Sequence, residues 1–281
     1  MKRGFLIVLY MAIGASTQCC LAQYTNDAGQ REKHFIYEVK QIDEFFERFN
    51  DDKDSFIRKT YARYKKNFSV TRQDLIKSLF NYETNSWNPV IIDSFITVVT
   101  RSSNPCFLNF YGDDWFAEVL CRFQQGNTET DVPVIMKLDA DENSRARWLI
   151  EGVKKNPFPS TGANNIIITT NNNRFIHPAS HTNNFIALNK ALDDKENLST
   201  YFDNVFFKRS NNVAFYNAVL SGQIKLLYVK QVVYHFLQVN GWVFTVESFP
   251  RASLNSGWLI NSLKQIAAEE KIKYKTRLLG E

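Results

Sequence analysis

With 281 residues, 44% of them apolar and 14% aromatic, the chain can fill the core of one large domain or two small ones. A formal charge of +5 at pH 7 is too close to neutral to make nucleic acid or any other polyanion the expected partner of the whole chain. Four cysteines exclude a disulfide-dense scaffold.

The chain opens on MKRGFLIVLYMAIGASTQCCLA, which has the form of a secretory signal peptide. Lys2 and Arg3 give the positive start, and Phe5 to Ala15 gives an apolar stretch too short to span a bilayer stably. Cys20 and Ala22 are small residues at the cleavage positions, so cleavage is expected after Ala22 and the mature chain at Gln23. The rival, a lipoprotein acylated at Cys19 or Cys20, is disfavoured because Gln18 and Cys19 stand where a lipobox wants a small residue. No later stretch is long and apolar enough to span a membrane. Export removes two cations and two cysteines, which leaves Cys106 and Cys121. These two could pair in an oxidising compartment, or both could be buried thiols.

Residues 23–34 read as a polar leader. Ile36, Val39, Ile42, Phe45, Phe46 and Phe49 recur at helical spacing and predict a helix over 36–50. Ile57, Tyr61, Tyr64 and Phe68 give a second helix. Thr71, with Asp74 three residues on, is the expected cap of a third. VIIDSFITVV suits strand or helix. The pattern then alternates through WFAEVLCRF, VPVIMKL and RARWLIEGV, separated by polar turns, which predicts an antiparallel meander.

The Pro-, Gly- and Asn-rich segment 156–184 is the expected boundary between an N-terminal lobe (35–155) and a C-terminal lobe (185–265). Helical patterns near 185–192 and 213–220 precede three more strands, in IKLLYVKQVVYHFLQV, GWVFTVESF and around WLINSL. Residues 266–281 read as a charged, solvated tail. The halves echo each other: Phe123-Gln-Gln-Gly-Asn, a strand, a turn and Trp148-Leu-Ile parallel Phe236-Leu-Gln-Val-Asn-Gly, a strand, a turn and Trp258-Leu-Ile. This suggests a duplication.

Helices followed by a curved meander with a late Trp-Leu-Ile strand resemble the NTF2-like (SnoaL-like) superfamily. FYGDDWFAEVLCRFQQGN and VPVIMKLDADENSRARWLIEGV carry most of the resemblance, and 226–263 carries a shorter version. It implies an α+β fold, helices packed on curved antiparallel sheets, in two NTF2-like (cystatin-like) lobes. The superfamily holds enzymes, ligand binders and assembly modules, so the fold alone assigns no activity.

Each candidate site has a plain structural alternative. His177 and His181 sit four apart, but Pro178 and the surrounding asparagines favour a surface loop over a zinc helix. Asp139-Ala-Asp141-Glu-Asn143 begins like a calcium loop, yet Ser144 and Ile150 occupy the positions that need Gly and Glu. No metal or cofactor is expected. Arg58, Lys59, Arg63, Lys65 and Lys66 form an acid-free basic helix that could hold a polyanion or an anionic envelope surface. Asp113-Asp114 reads as a solvated turn. His235 should face Thr245 across the Val239–Gly241 hairpin and lie diagonal to Glu247, a pair able to do acid–base work.

The leading expectation is an exported, non-catalytic binding or assembly protein of the cell envelope. It would hold a protein partner or small apolar ligand on an aromatic-lined sheet face bearing Trp115, Tyr234, His235 and Glu247. The alternatives are a small-pocket SnoaL-like enzyme using His235 and Glu247, and envelope attachment through the basic helix.

Overall fold

Strict alternation makes the strands. In Trp115–Gln125 (β1) the side chains of Trp115, Ala117, Val119, Cys121 and Phe123 are all buried, and the residues between them are mostly half-buried. Thr128–Ala140 (β2) and Ala146–Val153 (β3) continue the first meander. Lys225–Phe236 (β4), Trp242–Phe249 (β5) and Gly257–Gln265 (β6) form the second. The two meanders join through an antiparallel β1–β4 pairing, giving one six-stranded, unclosed sheet of order β3-β2-β1-β4-β5-β6. The architecture is α+β. The computed structural model describes residues 38–64, 70–140, 146–158, 171, 173–252 and 255–280, with the backbone alone for Tyr61, Arg63 and Tyr64. The expected signal (1–22), the polar leader (23–34), and Lys65 and Lys66 lie outside these residues.

Helices cover one face of this sheet. The first, α1, spans Ile42–Asn50 and starts later than its periodicity predicts. Val39 is instead drawn into an extended bridge with Gly257, its N–H donating to the Ser256 carbonyl at 3.1 Å. A second helix, α2, runs Phe56–Tyr64. The third, α3 (Arg72–Lys77), carries the predicted capping box: Asp74 N–H donates to Thr71 Oγ1 at 3.2 Å and Thr71 N–H to Asp74 Oδ2 at 2.9 Å. Residues Pro89–Val99 form helix α4. Asn88 accepts from Val90 N–H and Pro89 takes the first turn, local signals that decide against a strand. In the second half α5 (Ala187–Asp193) and α6 (Ser210–Leu220) match the predicted helical patterns, with 3-10 turns at Pro178–Asn183, Lys195–Tyr201 and Phe206–Lys208.

The two meanders share one core. Phe45, Phe46, Phe49 and Phe95 from the first-half helices pack directly on Phe236, Trp242 and Phe244 of the second meander. The described part of the segment expected as a linker is built into this core. Ile176 pairs with Trp148, and Trp148 Nε1 donates to the Pro178 carbonyl at 2.7 Å. Each sheet edge is bridged at two points, β3 by Ile176 and Phe202 and β6 by Val39 and Phe80.

Two further differences concern the termini of elements. The expected charged tail forms a helix, α7 (Ala268–Leu278), which lies on the opposite face of the sheet. Leu278 and the following Leu279 are buried there against Phe116, Ile135, Leu237, Val243 and Ile266. The second is Arg72, which joins three elements: its guanidinium donates to the carbonyls of Phe49 (2.9 Å), Val99 (3.0 Å) and Cys106 (2.5 Å) and stacks on Phe107 at 4.2 Å. Of the two readings left open for Cys106 and Cys121, the structure has free thiols and no bridge between them. Cys121 is wholly buried inside β1, whereas Cys106 follows α4 beside Arg72. Among the described residues no helix is long and apolar enough to cross a membrane.

Candidate functional site

Adjacent strand residues face opposite sides, and this divides the residues expected to line one sheet face. Trp115 and Tyr234 point to the helix-covered face, while His235 and Glu247 point to the other. Trp115 is closed in by Phe46, Phe110, Trp148, Tyr234 and Phe236, with ring centroids 5.0 to 5.9 Å away. Its indole N–H donates to the Phe110 carbonyl at 2.9 Å. Tyr234 lies 4.9 Å from the Trp258 ring and is fully buried. The aromatic face is therefore the protein's own core, filled by its own helices, and the expectation of an open aromatic surface is corrected.

His235 faces Thr245 across β4 and β5, as the hairpin arithmetic requires. Its working partners, however, are not Glu247. Nδ1 lies 2.6 Å from the Tyr274 hydroxyl of α7, and Nε2 lies 3.2 Å from Glu118 Oε2 of β1. The second contact lies at ion-pair distance but outside hydrogen-bond geometry. Lys154 Nζ reaches the same Glu118 oxygen at 3.3 Å. Glu247 instead accepts from Asn261 at 2.7 Å and Gln231 at 3.2 Å.

The cluster extends along α7. Asp114 accepts from Lys271 at 2.7 Å and Lys275 at 3.4 Å, so one of the two aspartates expected in a solvated turn is an anchor. Lys275 also sits over the Phe116 ring at 5.1 Å. Burial alone would raise the Glu118 carboxyl, but the His235 and Lys154 contacts outweigh it and hold the group below its ordinary value. Asp114 is lowered in the same way, with Lys271 and Lys275 overcoming burial. Burial, assisted by the Glu118 charge, pushes Tyr274 up to about 12. These groups clamp a helix to a sheet, and the signs of their shifts make the clamp pH-dependent. The carboxylates stabilise it at neutral pH and lose that contribution as pH falls through their lowered values. Tyr274 favours its neutral form in the fold, so an unfolded chain ionises first as pH rises from about 10. Docking of α7 should therefore weaken between pH 10 and 12. Tyr274→Phe should remove that alkaline loss, as read by tyrosinate absorbance and α7 proteolysis in parallel. Equal alkaline loss in the variant would show that Tyr274 does not clamp the helix.

The remaining candidates separate cleanly. His177 is exposed and caps its turn, accepting from Ala179 N–H at 3.1 Å. His181 is not a surface-loop residue: it is buried, with Nδ1 2.7 Å from the Pro178 carbonyl and Nε2 2.9 Å from Asp43 Oδ1. Among the described residues no group of three His, Cys, Asp or Glu is placed to hold a metal ion. Asp139 pairs with Arg147 across the strands, and residues 141–145 of that turn lie outside the described set. Arg58 is spent on structure, bonding Asp51 at 2.5 Å and the Val70 carbonyl at 2.8 Å. Lys59 lies 3.8 Å from Asp54, and the Arg63 side chain falls outside the described residues. At Arg58 and Lys59, then, the basic helix has acidic neighbours, Asp51 and Asp54, that lie just outside its own sequence window.

Beyond α7, the same face of the sheet has a strip that no described element covers. Leu120, Pro133 and Val233 are half-buried there, and Tyr228 is 51% exposed. Among them Arg122 grips Asp131 (Nε–Oδ1 2.5 Å, Nη2–Oδ2 3.0 Å) and Glu129 (3.0 Å), and Lys230 meets Asp131 at 2.7 Å. Arg122 stays protonated and Asp131 stays ionised in this lattice of opposite charges. The β1–β4 junction that creates the strip is a long-range pairing, which no local pattern announces. A scan against family models, a search of curated proteins and a search of solved structures each find no match.

Proposed function

We propose that the chain is an exported, non-catalytic binding or assembly protein of the cell envelope that meets a protein partner on the uncovered strip around Leu120, Arg122, Tyr228 and Val233. The observation that carries this reading is the asymmetry of the sheet. Among the described residues, helices close one face, and α7 alone closes part of the other. The strip mixes a tyrosine, half-buried aliphatics and an ordered Arg–carboxylate lattice, a composition suited to a protein surface. With Trp115 and Tyr234 used in the core, a protein partner fits this geometry better than a small apolar ligand. His235 and its neighbours fasten α7, which supports a structural role over acid–base chemistry.

Export rests on the signal-like first 22 residues, with cleavage after Ala22. We read the two halves as copies of one helices-then-meander unit of NTF2-like type, fused edge to edge through β1 and β4. What supports this reading is the repeated sequence pattern that places Phe123 and Trp148 in the first meander and Phe236 and Trp258 in the second, all four buried in the shared core. The test is a photoreactive residue placed at Tyr228, with exposed Val90 on α4 as control, in the native cell. The reading expects one discrete adduct from position 228 that is reduced by Arg122→Glu, and none from position 90. Equal labelling from both positions, or none from 228, overturns it.

A further inference from the structure

The surface of α7 away from Asp114 carries a second, unassigned feature. A groove of about 390 Å³ runs between the end of β6 and α7. It is lined by Lys264, Lys273 and Arg277, with Ile266, Tyr274 and Glu270. The three cations are exposed, and among the described residues none has a carboxylate at ion-pair distance. The neighbouring Lys271 and Lys275 are, by contrast, both committed to Asp114. The one acid in the groove, Glu270, is tied to the helix start, accepting from Ala267 N–H at 3.2 Å. Ile272, next to Lys273 in the chain, is 68% exposed on an otherwise charged helix.

We propose that this groove and the exposed turn of α7 dock on an anionic membrane surface, with Lys264, Lys273 and Arg277 holding lipid phosphates and Ile272 entering the headgroup layer. Charge complementarity selects the occupant. Unpaired cations around a concave surface attract phosphate, and an adjacent exposed aliphatic side chain has a use at an interface that it lacks in bulk water. The cations committed to Asp114 keep the helix seated, while Lys264, Lys273 and Arg277, the last with its Nε donating to the Lys273 carbonyl at 3.3 Å, have no carboxylate partner among the described residues. This surface is separate from the sheet strip, so its failure leaves the partner reading untouched.

The test uses the full chain and vesicles of phosphatidylglycerol mixed with phosphatidylcholine, against vesicles of phosphatidylcholine alone. Binding is expected to the anionic vesicles only and to weaken as salt is raised. Replacing Lys264, Lys273 and Arg277 together by Gln should cost about a hundredfold in affinity, taking roughly fivefold for each cation near the surface. A charge-matched control, Lys155, Lys190 and Lys225 each changed to Gln, should retain binding. Equal losses in the two triple variants would mean that net charge alone is responsible and would overturn the proposal, as would no binding by the unmodified chain. Binding of inorganic phosphate to the chain that Lys264→Gln, Lys273→Gln and Arg277→Gln together abolish, with no affinity of the unmodified chain for the anionic vesicles, would assign the groove to a soluble phosphate and overturn the membrane assignment.

Discussion

Trp115→Ala should destabilise the folded chain by about 3–5 kcal/mol, the range for emptying a large aromatic from a packed core. Trp115 is 1% exposed, touches five rings and satisfies the Phe110 carbonyl through its indole N–H. The alanine leaves both a cavity and an unpaired carbonyl at half-buried Phe110. Trp115→Phe should recover part of the packing but not the hydrogen bond, and so fall between the two. Chemical denaturation of the three proteins measures this. A variant with unchanged stability but lost partner binding would return Trp115 to the role its sequence suggested, a contact residue on an open face. A loss of several kcal/mol is a large fraction of the total stability of an ordinary domain, so this substitution separates core from binding site decisively.

Gly257→Ala should cost about 3 kcal/mol and loosen the β6 edge. Gly257 has φ +81°, a left-handed conformation that an L side chain adopts at a cost. A Cβ there would also overlap the Val39 carbonyl, which is backbone and cannot turn aside. The bridge at stake comprises Val39 N–H to Ser256 O at 3.1 Å and Trp258 N–H to Val39 O at 2.8 Å. Because Val39 leads into α1, displacement here reaches Phe45 and Phe46 and hence both meanders. Denaturation midpoints together with amide exchange at Val39 and Trp258 report the effect. Unchanged protection at both amides would show that the edge bridge carries little of the fold.

Much of the secondary structure could be read from the sequence because its signals are local. Alternation located all six strands, Thr71 and Asp74 announced a capping box, and the short hairpin put His235 opposite Thr245. Period-two alternation also separates Tyr234 from His235, since neighbours in a strand cannot share a face. What lay beyond reach was non-local. Glu118 becomes the partner of His235 only because β1 pairs with β4, and nothing near either residue encodes that junction. Helix α7 was obscured by its charges: Tyr274 and Leu278 face the sheet, but Lys271, Lys273, Lys275 and Arg277 dominate the pattern. The acid-free look of 57–72 misled because Asp51, just outside that window, neutralises Arg58. Arg72 reads as another surface cation until α1, α4 and the loop after it supply three carbonyls.

The central claim is that His235, Glu118 and Tyr274 fasten α7 to the sheet and leave recognition to surfaces outside the core. Amide hydrogen exchange of residues 268–280 in the unmodified chain and in His235→Ala tests it most directly, with Val119 and Val134 in the buried strands as internal reference. Loss of one buried hydrogen bond predicts α7 amides exchanging about tenfold faster while the reference amides are unchanged. Protection of α7 identical in the two proteins would contradict the claim and reopen His235 as a functional group.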